Sequence, residues 1–440
     1  MRAISLALFA IAFMASSLSA AALSGVVQKS SVDVYAEPRL DAAKVASLKR
    51  DTAVSIATQQ GLWYQLQQPS AGYVRVNDVR IDYAGTEDGD ANMRALTGGK
   101  AGSGRVTETA GVRGIDESDL KSAAYDGAQL NAMMANRVDD AAATSYAREH
   151  ERQTTAVAYE NEGKRGKTGK SGGTSGLASA GGMLGSLGQG LGSMLGTADQ
   201  VMPKSEDELS AEELALGPEI AGRVLGARPL WNDAEAQKRV NLIGRWVAMQ
   251  TSRPDLPWAF GVIDTPEVNA FAAPGGYIMV TRGLYELLTS DGEVAAVLAH
   301  EISHCVQRDH YNVVRNQQMA TMGKDQVMGN VNASTSTSAA TQNPAVAFAK
   351  SYVEKHGATV MLATLDREAE YRSDKAAEIY AARAGMNPMA LYSVLQKMTA
   401  LGNQSAGLAQ LYKTHPALDA RMDRIDKRNY EGLKAYLARD

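Results

Sequence analysis

The chain has little cysteine, few aromatic residues and no excess of either charge. Cys305 is the single cysteine among 440 residues, so no internal disulfide can form. Aromatic residues make up 6% of the sequence. After the N-terminal segment no apolar run approaches the roughly 20 residues of a membrane-spanning helix. We therefore expect no membrane-spanning helix. The sequence has 45 basic and 49 acidic residues, a net charge of -4, and such a balance gives no attraction for nucleic acid, so we expect no nucleic-acid partner.

Residues 1–22 are predicted to form a cleavable secretory signal peptide. Arg2 precedes an uncharged apolar run up to Ala15, and small residues follow as far as Ala22. The run is too short to cross a membrane, and a cleavage site after the small residues is typical of such peptides. No cysteine follows them, so we expect no lipoprotein anchor. The segment predicts a periplasmic or secreted protein, with a retained amphipathic anchor as the alternative.

Residues 23–85 are predicted to form a small all-β barrel. Apolar and polar residues alternate in four short segments separated by proline and glycine: 32–35, 54–56, 63–66 and 73–76. The stretch resembles a bacterial Src-homology-3-like domain, and that resemblance implies a binding module. Trp63, Tyr64 and Tyr73 could line a groove for a peptide or a cell-wall ligand, or they could be core residues.

Residues 86–204 are predicted to form a linker without a convincing core of its own. An Ala-rich, charged stretch from Ile115 to about Glu160 favours one or two exposed helices. Residues 164–173 have the basic Gly/Ser-rich composition of a flexible linker. Residues 181–196 repeat glycine with leucine and methionine, which favours further linker but leaves a peripheral membrane contact open.

The most informative residues are 300–304, which read His-Glu-Ile-Ser-His. On a helix, positions i and i+4 share a face, so His300 and His304 can bind one metal ion. Glu301 is one step round and can reach a water bound to that ion. This spacing predicts a zinc peptidase. The alternative is a pair of ordinary histidines on a buried helix.

A catalytic zinc site needs a third protein ligand and an open position. Glu370 is the best candidate, because it lies with Asp374 at i and i+4 in a segment rich in helix formers. One carboxylate can bind the metal while the other accepts a hydrogen bond from a ligand histidine. The alternative is a solvated helix face, on which Arg367 and Lys375 offer ion-pair partners.

Three further segments accompany these residues in order: 268–281, 291–304 and 414–421. Together the motifs resemble the gluzincin zinc peptidases, in particular the CAAX prenyl protease and HtpX-like family. The resemblance covers residues 205–440. It implies an α+β fold, in which a mainly helical zincin-type metallopeptidase domain with a small sheet follows the small all-β barrel and the flexible linker.

The resemblance also implies the roles of individual residues. His300, His304 and Glu370 would bind one Zn²⁺ per chain. Glu301 would be the general base and Asp374 would support a ligand.

The segment 414–421 carries two further candidate members of the site. His415 would lie near the metal, where it could stabilise the oxyanion or occupy the open position of a resting state, or it is an ordinary loop residue. Arg421 would support that segment or the substrate.

Residues 269–279 are predicted to form an edge strand beside the site. Asn269, Ala270 and Phe271 would then bind substrate, because an extended peptide can add to a free sheet edge through its main chain. The alternative is a plain core strand and turn, in which Gly275 and Gly276 supply the backbone freedom.

The sequence therefore predicts a periplasmic or secreted zinc endopeptidase. Its substrates would be polypeptides, namely unfolded or misassembled envelope proteins, and its role envelope protein quality control. One alternative is a peptidoglycan peptidase, suggested by the N-terminal barrel. A second is a chaperone or scaffold whose metal site is vestigial or blocked by His415.

Overall fold

A computed structural model of the chain describes residues 23–82, 115–160, 205–327, 343–402, 408–409 and 411–439. These ranges form an N-terminal antiparallel sheet and a mainly helical domain that contains a second, small sheet. The predicted α+β class is confirmed. The predicted signal peptide and the Gly-rich segment 181–196 lie outside the described residues. Within the described ranges, no helix has the length and apolarity to cross a membrane.

The N-terminal sheet has seven strands, in the order β3-β2-β6-β5-β4-β1-β7. Their alternating pattern buries one side chain in two, and Val34, Ile56 and Tyr64 lie in the core with no exposed surface. The strands are β1 (Leu23–Val27), β2 (Ser31–Tyr35), β3 (Lys44–Lys49), β4 (Ala53–Gln60), β5 (Trp63–Gln68), β6 (Gly72–Arg75) and β7 (Val79–Ile81).

The predicted barrel differs from the structure in one respect, because the sheet does not close and β3 and β7 are its edges. The β7 edge instead meets the helix Ala390–Ala400, called here the docking helix. The Gln396 amide donates to the Val79 carbonyl (2.6 Å) and accepts from the Ile81 N–H (3.3 Å). A helix side chain therefore satisfies the edge groups that a neighbouring strand would otherwise satisfy.

The aromatic residues predicted to line a ligand groove lie mostly in the interior. Trp63 is 4% exposed and Tyr64 is fully buried, while Tyr73 is half-buried. Tyr35 and the Arg75 guanidinium pack on the Trp63 ring, and Arg75 also donates to the Leu437 carbonyl of the helical domain. Trp63 and Tyr64 are therefore core residues, which was the alternative to a ligand groove. The hydrogen bond of Arg75 also connects the sheet to the helical domain.

Residues 115–160 differ from the exposed helices predicted for them. Each of the helices Glu117–Ser122, Gly127–Ala135 and Asp140–Glu149 begins after a capping aspartate. Their apolar faces are buried, with Leu120, Met133 and Ala143 at 0% exposure. These helices pack on the helices Glu206–Ala227 and Ala234–Ala248 and are part of the helical domain.

The helical domain surrounds a three-stranded sheet of order β8-β10-β9, in which β10 (Tyr277–Thr281) pairs parallel with β8 (Ala259–Ile263) and antiparallel with β9 (Ala270–Ala273). Ser205 and Glu208 form a capping box at the domain's first long helix. The described helices from this point are Glu206–Ala227, Ala234–Ala248, Arg282–Leu287, Asp291–Gln307, Asp309–Val327, Pro344–His356, Arg367–Arg383, Ala390–Ala400, Leu411–Thr414 and Leu418–Arg428, with 3-10 turns at Thr359–Leu362 and Lys434–Tyr436.

The helix Asp291–Gln307, called here the motif helix, lies at the centre of this domain. All residues from Glu293 to Val306 are buried. It begins at the Ser290 cap and packs against the helix Arg367–Arg383, called here the glutamate helix, and against the docking helix. A helix that is buried on every side must satisfy its polar side chains inside the protein.

Glu293, in the first turn of the motif helix, shows how one such charge is satisfied. Its carboxylate accepts hydrogen bonds from Lys397 and Ser393 of the docking helix, both at 2.7 Å. Lys397 and Glu293 are each 1% exposed. Ser393 also meets Gln59 of β4 at 2.8 Å. The contact therefore links the N-terminal sheet to the start of the motif helix.

We expect Lys397→Met to lower the free energy of unfolding by about 3 kcal/mol, because it leaves the buried Glu293 carboxylate without a counter-charge. The double variant Lys397→Met with Glu293→Gln removes both charges and should regain most of that loss. Urea unfolding of the three proteins measures the difference. A single variant as stable as the parent would show that the ion pair does not hold the two helices together.

Candidate metal centre

The motif helix and the glutamate helix bring three of the predicted ligands together. The Nε2 atoms of His300 and His304 lie 3.2 Å apart. The Glu370 carboxylate faces both rings, at 3.5 Å from His300 Nε2 and 3.7 Å from His304 Nε2. Ligand atoms about 2.0–2.2 Å from a tetrahedral zinc would have similar mutual separations. The i and i+4 spacing of the histidines produces this convergence.

The donor set fits a metal ion by a further observation. Glu370 is 0% exposed, and its Oε1 has no hydrogen-bond partner among the described residues. A buried carboxylate oxygen without a partner is costly, and a bound cation would satisfy it. Two imidazoles and one carboxylate are a ligand set of catalytic zinc sites.

His415 completes a group of four potential ligands. Its Nδ1 lies 2.7 Å from Glu370 Oε2, and one ligand atom each from His300, His304, Glu370 and His415 lie within 4.8 Å of one another. Burial raises the pKa of Glu370, but the His415 charge and the hydrogen bond from His300 outweigh it and hold that pKa well below its usual value. His415 is thus close enough to approach the same ion.

A carboxylate and an arginine hold His300 from behind. Its Nδ1 lies 3.1 Å from Asp374 Oδ1, and Arg421 binds the same carboxylate at 2.6 and 3.1 Å. Burial and the Arg421 charge lower the pKa of His300, yet its bonds to Asp374 and Glu370 raise it to about 9. The structure thus places Asp374 beside a candidate ligand histidine, and it places Arg421, which was expected to support the segment 414–421 or the substrate, on Asp374.

His304 has a supporting pair that the sequence analysis missed. Its Nδ1 lies 2.9 Å from Asp309 Oδ2, and Arg372 of the glutamate helix binds the other oxygen of Asp309 at 2.6 Å. Ser373 Oγ lies 3.2 Å from the same Nδ1. Burial raises the pKa of Asp309, but the hydrogen bond with His304 leaves it lowered. The motif helix ends at Arg308, and no signal in the sequence fixed that end.

A small cavity opens beside the ligands. Ala270 and Phe271 line it from β9, together with Glu301 and His415. Asn269 does not line the cavity, and its main-chain carbonyl accepts from the Thr281 N–H of β10. The structure therefore brings two of the three predicted substrate-binding residues to the site and leaves Asn269 behind it.

Strand β9 is an edge strand, but the predicted edge strand 269–279 consists of β9, a turn at Gly275 and Gly276, and the start of the central strand β10. Phe271 pairs with Met279 of β10, and the main-chain carbonyl of Asn269 accepts a hydrogen bond from the Thr281 N–H. The main-chain N–H and C=O groups of Asn269 and Phe271 therefore point towards β10. Hydrogen-bonded and non-hydrogen-bonded positions alternate in an antiparallel pair. The N–H and C=O groups of Ala270 and Ala272 therefore point away from β10, towards the cavity that both residues line.

This fold and ligand set define a metallopeptidase-type domain. Residues 234–429 match the model of peptidase family M48. The match confirms the metallopeptidase resemblance of the sequence motifs. The Src-homology-3-like resemblance lies outside the matched residues and remains a prediction.

Three relatives illustrate how far the similarity extends. The chain is 25% identical over 218 residues to the Beta-barrel assembly-enhancing protease of Escherichia coli (strain K12), a match that covers 50% of this chain and 43% of that protein. It is 27% identical over 224 residues to the Protease HtpX homolog of Sulfurovum sp. (strain NBC37-1), covering 44% and 78% respectively. A 53-residue match of 45% identity to the Mitochondrial metalloendopeptidase OMA1 of Arabidopsis thaliana covers 12% and 11%. The chain thus spans less than half the length of the assembly-enhancing protease.

We expect Glu370→Gln to lose zinc on dialysis against a dilute chelator, because a neutral amide is a poor replacement for a carboxylate ligand. Glu368→Gln is the matched control, since Glu368 lies on the same helix with its side chain 69% exposed. Elemental analysis of the dialysed proteins gives the zinc content. One equivalent of zinc retained by the Glu370 variant would remove Glu370 from the ligand set.

Proposed function

We propose that the protein is a zinc-dependent endopeptidase. The observation that carries the proposal is the buried convergence of His300, His304 and Glu370, with the Oε1 of Glu370 lacking a hydrogen-bond partner among the described residues. The match to a peptidase family over the residues that contain this cluster supports it.

The chemistry can be assigned to side chains of the site. His300, His304 and Glu370 would hold a zinc ion, which would supply polarisation of the scissile carbonyl and a lower pKa of the attacking water. Glu301 lines the cavity beside these ligands and takes the proton from that water. It then returns the proton to the leaving amine. No side chain of the protein needs to act as a nucleophile.

The substrate is an extended polypeptide that pairs with the outer edge of β9. Ala270 and Ala272 offer main-chain donors and acceptors there, which recognise peptide backbone and not particular side chains. A folded protein cannot easily offer a free strand to a recessed cavity, so unfolded segments are the preferred substrates. Misassembled envelope proteins are the proposed physiological class. The predicted signal peptide and the printed name of the assembly-enhancing protease support this choice.

We expect Glu301→Gln to abolish cleavage of casein, because an amide cannot accept the proton of the attacking water. The zinc content should equal that of the parent, because residue 301 is not one of the proposed ligands. Parent and variant are compared by casein digestion and elemental analysis. Cleavage that continues in a zinc-loaded Glu301 variant would exclude the proposed base. Cleavage that is absent in both zinc-loaded proteins would favour the blocked-site alternative.

The distance between His415 and Glu370 supports that alternative, a resting site blocked by its own histidine. His415→Ala would open the position near the metal. If His415 blocks the site, the variant should cleave casein faster than the parent, whereas a slower variant would indicate that His415 assists the reaction.

We expect Ala272→Pro to reduce kcat/KM for an unstructured peptide roughly fivefold, because proline removes one main-chain donor worth about 1 kcal/mol from the strand edge. Proline is tolerated on an edge strand where its nitrogen faces outward. Ala272→Gly keeps the donor and serves as the control. Equal kcat/KM for the two variants would argue against strand pairing at this edge.

A further inference from the structure

The turn at the end of the motif helix has an unusual conformation. Arg308 caps the helix with a φ of 60° and a ψ of 31°, in the left-handed region. A residue with a Cβ seldom adopts this conformation, and it persists only when its surroundings enforce it. The next helix, Asp309–Val327, begins immediately afterwards.

Buried ion pairs enforce this conformation. The Arg308 guanidinium binds Glu213 at 2.7 Å, and Arg253 binds the same carboxylate at 2.7 and 2.9 Å. Glu213 is 0% exposed. A second nitrogen of the Arg308 guanidinium lies 2.8 Å from the Ser210 hydroxyl, and Ser210 and Glu213 both belong to the helix Glu206–Ala227. The side chain of Arg308 is therefore directed away from the metal centre, and its backbone redirects the chain.

The turn changes which residue meets His304. In a continued helix, position 309 would lie 140° round the axis from position 304, at 100° per residue. Because the helix stops at Arg308, Asp309 instead reaches back to His304 Nδ1 at 2.9 Å. Its other oxygen is held at 2.6 Å by Arg372, which lies two residues after Glu370. The carboxylate is 8% exposed and has both oxygens bound.

We propose that Asp309 is the positioning residue of the second histidine ligand, and that the left-handed turn at Arg308 and the Arg372 guanidinium hold it in place. As a carboxylate, Asp309 accepts the Nδ1 proton of His304, which leaves the Nε2 lone pair for the metal and fixes the ring plane. The inference rests on the proposed zinc site, and it concerns metal affinity before it concerns catalysis.

The two histidine ligands then have equivalent supports from different parts of the chain. Asp374 with Arg421 holds His300, and Asp309 with Arg372 holds His304. Arg372 lies on the same helix as Glu370, so the second pair also ties the third ligand's helix to the end of the motif helix. A change at Asp309 should therefore weaken the metal site without removing any ligand.

The decisive experiment measures zinc affinity of the full chain by competition with a chromophoric chelator. Asp309→Asn should weaken zinc binding 10- to 100-fold, the usual effect of losing a partner of a ligand histidine. Asp426→Asn is the matched control, because Asp426 is also paired with an arginine, Arg80 at 2.7 Å, on a contact with the N-terminal sheet. Its affinity should equal that of the parent.

A merely structural role would affect the metal-free protein instead. Circular dichroism and thermal unfolding of the metal-free variants are therefore measured in parallel, and Co²⁺ spectra report the ligand field. Altered Co²⁺ bands in Asp309→Asn, with unchanged bands in Asp426→Asn, support the proposal. If Asp309→Asn does not fold, Arg372→Gln takes its place, because the Arg372 side chain is 31% exposed and its loss disturbs the core less.

The turn itself is tested by Arg308→Gly against Arg308→Ala. Both variants lose the ion pair with Glu213, but only glycine adopts the left-handed conformation without strain. We expect zinc affinity to be closer to the parent in the glycine variant than in the alanine variant.

Three results would overturn the inference. Parental zinc affinity in both Asp309→Asn and Arg372→Gln would overturn the positioning role while leaving the zinc site intact. Equal affinity in the two Arg308 variants would overturn the role of the turn. A parent protein that binds no zinc would overturn the proposed function, and the inference with it.

Discussion

The complete burial of the motif helix is the constraint on which the site depends. From Glu293 to Val306 the helix has no exposed face, although it carries a glutamate at its start and a His-Glu-Ile-Ser-His sequence at its centre. Each polar group therefore needs a partner from another helix, since an unpaired buried charge costs several kcal/mol. Lys397 donates a hydrogen bond to Glu293. Asp374 binds His300, and Asp309 binds His304. The same contacts that allow burial also fix the orientation of the rings.

The sequence predicted the features that depend on local periodicity. Spacing along a helix was enough to place His300 and His304 on one face and Glu370 with Asp374 on another, and the structure brings these faces together. Alternation and turn residues were enough to indicate four of the seven strands of the N-terminal sheet, namely β2, β4, β5 and β6, and the edge position of residues 270–273, but not β1, β3 or β7. Asp309 could not be found in this way, because its contact depends on where the motif helix ends.

Residues 115–160 show a second limit of sequence reasoning. Their small and charged residues indicate exposed helices, yet close contact between backbones buries them. A Cβ at Gly226 would lie 1.9 Å from the Ala124 carbonyl oxygen, and one at Gly222 would lie 2.3 Å from the Tyr125 ring. Glycines on the helix Glu206–Ala227 therefore allow the segment to pack closer to the helix backbone than a residue with a side chain would allow. The hydrophobic pattern of residues 115–160 cannot predict this burial, because the glycines that allow it lie in another part of the sequence.

The contacts of the N-terminal sheet argue that it is an integral support of the site. Gln59 meets Ser393, and Ser393 meets Glu293 at the start of the motif helix. Gln396, on the same docking helix, satisfies the main chain of β7. A mobile recognition module would not share buried hydrogen bonds with the docking helix, which in turn binds the start of the motif helix, because each movement would expose or break them. The sheet therefore holds the docking helix, and the docking helix fixes one end of the helix that carries His300 and His304.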